Sequence, residues 1–248
     1  MTHPSPALIQ LSHLDHRYGS GLLALSGIDL AIAPESFVSL VGPSGCGKST
    51  LLRIMSGLVE PSAGQVERAS DGSGNLGFVF QDPTLMPWAT VRDNVALPLS
   101  LRGAPPVGVD DALARVGLAE FAGAYPRELS GGMRMRASIA RAIVAKPAVL
   151  LMDEPFAALD EFTRFALNDD LLALWNAYRW TVVFVTHSIR EAVFLSERVI
   201  GMSPRPGRIV GDIAINFDQR RTASLRNSHA FVDACARVSG MLGEGLAA

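Results

Sequence analysis

Residues 42–50 have the sequence GPSGCGKST, which matches the pattern G-x-x-x-x-G-K-[ST]. In this pattern the glycines allow backbone N–H groups to turn inward around phosphate oxygens, because a residue without a Cβ accepts the backbone angles of the turn. The apolar residues 36–41 predict a strand before the loop, and apolar residues at helical spacing between 51 and 58 predict a helix after it. This order of strand, loop and helix favours a phosphate-binding loop over an ordinary glycine turn.

Each residue of this phosphate loop is a candidate nucleotide ligand. We expect the Lys48 ammonium to neutralise the β and γ phosphates and the Ser49 hydroxyl to bind Mg²⁺. Cys46 lies inside the loop, so bulky thiol reagents are expected to block nucleotide binding. The loop consists of Gly42, Pro43, Ser44, Gly45, Cys46, Gly47, Lys48, Ser49 and Thr50.

A second motif is the run VLLMDE at residues 149–154, where a buried strand is expected to end in two adjacent carboxylates. At the mouth of a parallel sheet, Asp153 is suited to hold Mg²⁺ through its water shell, and Glu154 to orient and deprotonate an attacking water. Taken alone, an apolar run before Asp-Glu is as often a strand end followed by a loop. Together with the phosphate loop it indicates hydrolysis, because that reaction needs both parts.

A third motif, LSGGM at residues 129–133, precedes a helix that starts MRMRASIARA. Ser130 is suited to cap this helix, while Gly131 and Gly132 leave its first amides accessible. The helix start would be a second anion-binding site in the same chain. A capped helix start on its own is a common structural feature.

The order of strands and helices predicts an α/β fold with a mostly parallel core sheet. We expect an antiparallel β layer near the N-terminus and a helical subdomain inserted where prolines separate short helical stretches. The chain would be one domain, with a core of about residues 1–81 and 146–215, a helical subdomain of about 82–145 and a short polar tail of 216–248. The predicted strands are 7–14, 24–33, 36–41, 77–80, 148–152 and 181–186, and the predicted helices are 51–58, 110–122, 132–145 and 161–178.

Composition excludes several classes of protein. Hydrophobic residues make up 48% of the 248, yet no apolar run reaches the roughly 18 residues of a membrane span. The start MTHPSPALIQ lacks the basic and apolar segments of a secretory signal, so we expect a cytosolic chain. A net charge of -2 gives no general attraction for nucleic acid, and the two cysteines suggest neither a metal motif nor a disulfide framework.

These motifs, together with Gln81, the triplet ALD at 158–160 and His187, stand in the order found in the ATP-binding subunits of ABC transporters. The chain resembles that family from residue 18 to about residue 209. The resemblance implies an ABC-type P-loop NTPase fold and the cofactors ATP and Mg²⁺. It also implies a homodimer in which the LSGG of one copy closes on the ATP held by the phosphate loop of the other. One departure is Met133, where the family motif usually ends in Gln.

The resemblance implies roles for individual residues as well. Tyr18 resembles the aromatic residue that stacks on adenine, and Gln81 the residue that senses Mg²⁺ and the attacking water. His187 resembles the switch histidine that contacts the γ phosphate and supports Glu154. Asp160 resembles the aspartate of the dimer interface. On this basis the catalytic residues are Glu154, His187, Lys48 and Gln81, and the metal site involves Ser49, Gln81 and Asp153.

Three further segments resemble the importer ATPases for nitrate, taurine, aliphatic sulfonates and related solutes, some of which serve pyrimidine precursors or bicarbonate. These segments are LMPWATVRDNVALPL at 85–99, VTHSIREAVFLSERVIGM at 185–202 and SPRPGRI at 203–209. We expect Leu85, Met86 and Trp88 to receive a helix of a transmembrane permease subunit at the cytoplasmic face of the membrane; the alternative is that they form local core. An extracytoplasmic solute-binding protein would be an indirect partner.

Three alternatives differ in what they require of the sequence. A soluble ABC ATPase of repair, ribosome function or cluster assembly would be expected to carry coiled-coil arms, tandem cassettes or a basic face. A phosphate-loop kinase or GTP switch would leave LSGGM, Glu154 and His187 without a function. An exporter-type ABC ATPase uses the same chemistry and differs only in its membrane subunit.

Overall fold

The computed structural model describes residues 7–69, 76–217 and 221–247. The chain divides into two compact units. The first unit is Met1–Gly72 with Arg179–Ala248, and the second unit is Ser73–Tyr178. The division predicted above, with a core, a helical subdomain of about 82–145 and a tail, stays a prediction.

The first unit contains two β layers. An antiparallel layer has the order β2-β1-β4, formed by β1 (Ile9–Arg17), β2 (Leu23–Ile32) and β4 (Ala63–Arg68). Alternate residues of β1 and β2 are buried, as expected of strands with one face on a core. In the other layer, β3 (Phe37–Val41) pairs in parallel with β7 (Thr181–Val185) and with β8 (Arg198–Met202). The strand β9 (Ile209–Ala214) adds to β8 in the antiparallel direction.

Helices cover the parallel strands of the first unit. Every residue of β3 and β7 is buried, which explains why both sequences are mostly apolar. The helix α1 (Lys48–Ser56) packs against β7, and α6 (Ile189–Leu195) packs against β3 and β8. The phosphate loop therefore joins the carboxyl end of a buried strand to the start of a packed helix.

The second unit combines a strand pair with helices. The strands β5 (Leu76–Val79) and β6 (Val149–Asp153) pair in parallel. Between them in sequence lie α2 (Val91–Ser100), α3 (Val109–Arg115) and α4 (Gly131–Ile143), which pack on one another, and α5 (Glu161–Tyr178) packs on α4. Gly77 permits close approach of α4 to β5, because a Cβ there would lie 2.8 Å from the Ala142 carbonyl oxygen.

The predicted α/β class with a parallel core sheet and an antiparallel layer is confirmed. The helix predicted at 161–178 has those bounds, but the helix predicted at 110–122 is shorter. It ends at Arg115 because Gly117 adopts a left-handed φ of 70°, and Leu118 N–H then bonds back to the Leu113 carbonyl. Only a 3₁₀ turn, Ala119–Phe121, follows before residue 122.

The tail contains a long helix, α7 (His229–Ala247), which the sequence reading missed. It packs on α6, β8 and β9 through Phe231, Ala234 and Val238, which are buried and share one helical face. Within the described ranges, none of the helices combines the length and apolar character of a membrane span.

Candidate functional site

The phosphate loop of the first unit is shaped by two glycines in the left-handed region. Gly45 has φ 74°, and Gly47, the residue that precedes α1, has φ 105°. A Cβ at Gly47 would lie 2.6 Å from Cδ2 of Leu25 in β2. Backbone conformation and close packing therefore both require glycine at position 47.

Lys48 is folded back onto its own loop. Its ammonium donates hydrogen bonds to the carbonyl oxygens of Gly42 at 2.9 Å and Pro43 at 3.0 Å, and the side chain is only 4% exposed. The charge is thus held at the loop, where the motif requires it for phosphate binding. Ser44 is exposed at the tip, and Ser49, in the first turn of α1, is half-buried.

Tyr18 lies beside the start of α1. Its hydroxyl shares a 2.7 Å hydrogen bond with the Thr50 hydroxyl, and its ring meets the ring of His16 edge-on, with centroids 4.8 Å apart. The His16 Nδ1 lies 3.1 Å from the Glu60 carbonyl oxygen. Tyr18 is 38% exposed, so part of its ring remains available for stacking. This geometry is compatible with the adenine contact predicted for Tyr18.

The expectation for Cys46 needs correction. Its side chain is 1% exposed, because the loop turns it inward against the backbone of Gly42. A Cβ added at Gly42 would lie 3.1 Å from the Cys46 sulfur. A bulky reagent therefore cannot reach the thiol in the folded chain without local opening of the loop.

His187 is exposed directly after β7, and the loop that carries it is tied down by hydrogen bonds. Thr186 donates its hydroxyl proton to Glu191 Oε2 at 2.5 Å and accepts a bond from the Ser188 N–H at 3.0 Å. Ser188 in turn caps α6 by accepting from the Glu191 N–H. Sequence reasoning did not identify Glu191, although a carboxylate one helical turn after a Ser cap is a recognisable local signal.

The carboxylates of the second unit lie at the end of β6. Asp153 is its last residue and is buried, with 7% of its surface exposed, whereas Glu154 is half-buried. Glu154 adopts a left-handed φ of 46°, an uncommon conformation for a residue with a Cβ. Such a strained conformation persists only where the surrounding structure enforces it, and strained residues are concentrated at functional positions.

The LSGGM motif has the predicted local structure. Ser130 caps α4, and its Oγ accepts a hydrogen bond from the Met133 N–H at 3.2 Å. Gly132 is also required for packing, since a Cβ there would lie 2.7 Å from Cγ2 of Thr163 in α5. Thr163 itself donates both its N–H and its hydroxyl to the Asp160 carboxylate, and these bonds lower the pKa of Asp160. The start of α4 therefore lies against the start of α5, which Asp160 precedes.

Gln81 is exposed where β5 has ended, and one half-buried and one buried side chain secure the segment after it. From α4, Arg141 donates to the carbonyls of Pro83 and Thr84 at 2.7 and 2.8 Å, and burial lowers the pKa of its guanidinium. From α2, the fully buried Asn94 accepts from the Met86 N–H and donates to the Met86 carbonyl. Neither Arg141 nor Asn94 was identified from the sequence. The contacts of Arg141 span up to 58 residues of chain, whereas those of Asn94 lie within eight residues.

The residues predicted to form the permease groove differ in exposure. Trp88 is 76% exposed, whereas Leu85 and Met86 are half-buried. The Asn94 side chain also donates to the Ala89 and Thr90 carbonyls, so hydrogen bonds from Asn94 hold the turn that carries Trp88. The indole ring is therefore presented on the surface by a fixed backbone.

The chain matches known proteins over most of its length. The sequence pattern of the ABC transporter family matches residues 25–157. The aliphatic sulfonates import ATP-binding protein SsuB 1 of Pseudomonas syringae is 45% identical, with 84% of this chain and 86% of that protein covered. The taurine import ATP-binding protein TauB of Rhizobium johnstonii is 46% identical, with 82% and 81% covered.

A solved structure supports the same relationship to the ABC transporter family. The dimeric ATP-binding cassette MJ0796, in a post-hydrolysis state bound to ADP and Pi, matches with a TM-score of 0.73 and 33% identity over 84% of this chain and 99% of that one. Sequence and structure thus give the same assignment over nearly the same residues. The chain belongs to the ABC transporter family and is one of its ATP-binding cassette ATPases.

Proposed function

We propose that this chain binds and hydrolyses ATP to power an ABC importer for a small solute, working as a homodimer that encloses two nucleotides. The observation that carries the proposal is that one chain holds two different glycine-flanked helix starts of the kind that suits an anion, at α1 after the phosphate loop and at α4 after the capping Ser130. Two copies arranged head to tail would present an α1 start and an α4 start to each ATP. The dimeric state of the related cassette supports this arrangement.

In this mechanism the protein positions groups and stabilises charge, and forms no covalent intermediate. Lys48 releases its two carbonyl partners to bind the β and γ phosphates. Glu154 orients the attacking water and accepts its proton, and His187 contacts the γ phosphate. Gln81 contacts the attacking water and links this step to the segment that carries Trp88.

The residues assigned to magnesium fit that ion, because hydroxyl, carboxylate and amide oxygens are the hard ligands that Mg²⁺ prefers. Ser49 would bind it directly, Asp153 through water, and Gln81 through its side-chain oxygen. When bound, Mg²⁺ neutralises charge on the phosphates.

The solute class is proposed from the relatives. SsuB 1 and TauB are named for import of aliphatic sulfonates and of taurine, which favours a small sulfonate or a similar anion here. The nitrate and pyrimidine-precursor types stay within the same proposal. The partner subunits would be a permease, contacted near Leu85, Met86 and Trp88 at the cytoplasmic face of the membrane, and indirectly an extracytoplasmic solute-binding protein. No nucleic-acid partner is proposed.

The test combines a binding assay with identification of partners. The purified chain should bind MgATP and hydrolyse it, and Lys48→Ala should lose most of the affinity. From gently solubilised native membranes, the tagged chain should copurify with a polytopic permease, and the solute-binding protein of that system should bind a sulfonate. Recovery with an exporter subunit, or only from the soluble fraction, would contradict the importer assignment.

A further inference from the structure

The segment SPRPGRI contributes a turn, residues 203–207, that lies against the phosphate loop within the first unit. Arg205 directs its guanidinium at Gly45, and both Nε and Nη2 donate to the Gly45 carbonyl oxygen, at 3.2 and 3.0 Å. Gly207 approaches the next carbonyl so closely that a Cβ there would lie 2.0 Å from the Cys46 oxygen. Two consecutive carbonyls of the loop thus face this turn.

The turn is itself held firmly. The Gly207 N–H donates to the Ala24 carbonyl at 2.9 Å, and the Ser26 N–H donates to the Gly207 carbonyl at 3.0 Å. The strand β2 therefore binds both backbone groups of Gly207. Ser203 closes it by accepting from the Arg208 N–H at 3.0 Å, while its hydroxyl lies within hydrogen-bonding distance of the Pro204 and Pro206 carbonyls, at 2.9 and 3.2 Å. The prolines at 204 and 206 restrict φ further. Because these bonds hold the turn in place, the turn can hold the carbonyls that it contacts in place.

The direction of these carbonyls matters for anion binding. In a planar trans peptide the C=O and the following N–H point in opposite directions. Because the Cys46 carbonyl faces Gly207, the Gly47 N–H points away from the turn. The carbonyls of Gly42 and Pro43 accept hydrogen bonds from Lys48, and the Pro43 carbonyl also accepts from the Cys46 N–H at 3.3 Å. Carbonyl oxygens turned toward a phosphate would repel it, whereas amides turned toward it donate hydrogen bonds.

We infer that Arg205 is a positioning residue of the nucleotide site, which holds the Gly45 carbonyl outward so that the phosphate loop keeps its anion-binding shape. This inference rests on the proposed function, because it assumes that the loop binds a phosphate chain. Arg205 acts through the backbone of Gly45 and is not assigned a contact with the nucleotide.

The experiment measures the affinity of the full chain for MgATP and for inorganic tripolyphosphate, together with KM and kcat. Arg205→Ala should weaken both ligands by the same factor, roughly five- to tenfold, the size expected for losing one ordinary hydrogen bond at an exposed side chain. KM should rise and kcat should change little. Arg205→Lys should recover part of the loss, because an ammonium can still donate to the Gly45 carbonyl.

The matched control is Arg208→Ala, since Arg208 lies in the same segment and bonds to Ser203 through its backbone N–H and its backbone carbonyl, both of which the variant keeps. A second variant, Gly207→Ala, displaces the turn as a whole and should weaken both ligands at least as much as Arg205→Ala. The inference is overturned if Arg205→Ala binds tripolyphosphate within twofold of Arg208→Ala, whatever the result for Gly207→Ala. Failure of the wild-type chain to bind ATP would instead overturn the proposed function.

Discussion

At the residue scale, the carboxylate assigned to water activation sits on an unusual backbone. Glu154 has a left-handed φ and follows directly after the buried Asp153, so the main chain turns sharply at the end of β6. The two side chains therefore have different surroundings: Asp153 is buried, whereas Glu154 is half-buried. Neighbouring carboxylates with different surroundings can take different roles in one reaction.

We predict that Glu154→Gln keeps ATP affinity within about twofold and lowers turnover at least 100-fold, the usual range for loss of a general base. Gln has nearly the same shape and carries the same backbone strain, so the fold should persist. Nucleotide affinity and phosphate release measure the two quantities. Glu120→Gln, an exposed carboxylate of the same unit, is the control and should keep full turnover. Normal turnover in Glu154→Gln would refute its role.

The two cysteines should react slowly with thiol reagents, each for a different reason. Cys46 is buried, while Cys235 in α7 is half-buried and its pKa is raised by desolvation, an effect that the nearby Arg190 partly offsets. Since only the thiolate reacts, a raised pKa means that a smaller fraction of Cys235 is in the reactive form at a given pH.

Labelling of Cys235 should therefore keep accelerating above the pH at which an unperturbed thiol reaches its plateau. Mass spectrometry against pH measures this, and a Cys235→Ser variant isolates Cys46. The chain unfolded in urea serves as the reference for full reactivity. Rapid labelling of Cys46 in the folded chain at neutral pH would show that the loop opens readily.

At the scale of elements, α7 is docked by a fit between a side chain and two glycines. Gly201 and Gly211 are directly paired across β8 and β9, and Met241 of α7 fills the space above them. A Cβ at Gly211 would lie 2.5 Å from the Met241 sulfur. Phe231 adds a fully buried ring near the other end of α7, stacked beside Phe217 with centroids 6.3 Å apart.

We predict that Phe231→Ala lowers the free energy of unfolding by about 3 kcal/mol, because it leaves a cavity under α7. Val232→Ala is the matched control, since Val232 is the next residue and 52% exposed, and it should change stability by no more than about 0.5 kcal/mol. Urea unfolding measures both. Equal effects would show that α7 does not dock as described.

At the scale of the whole molecule, the proposed coupling to a permease depends on an exposed apolar residue that the chain does not need for its own core. Trp88 is 76% exposed on a turn that Asn94 braces, and the same segment is bonded to α4 through Arg141. A surface on such a fixed segment can transmit a displacement rather than absorb it. This is the property required of a contact between an ATPase and a permease.

We predict that Trp88→Ala leaves the ATPase activity of the isolated chain within about twofold and its stability within about 0.5 kcal/mol, as for other exposed positions. In the reconstituted transporter, solute transported per ATP should fall severalfold. Leu101→Ala, at an equally exposed position of the same unit, is the control and should transport normally. Unimpaired transport by Trp88→Ala would exclude this surface as the coupling site.

The amino-acid sequence by itself determined the features that depend on residues close together in the chain. The phosphate loop, the Ser130 cap, the α/β class and the bounds of α5 all follow from local spacing and side-chain chemistry. Only the tertiary structure decided the rest. The bond between Arg205 and Gly45 spans 160 residues, and the fit of Met241 over paired glycines requires three elements to meet. The burial of Cys46 likewise depends on how the loop packs. Such contacts leave no local pattern, because their partners are brought together by the packing of the core.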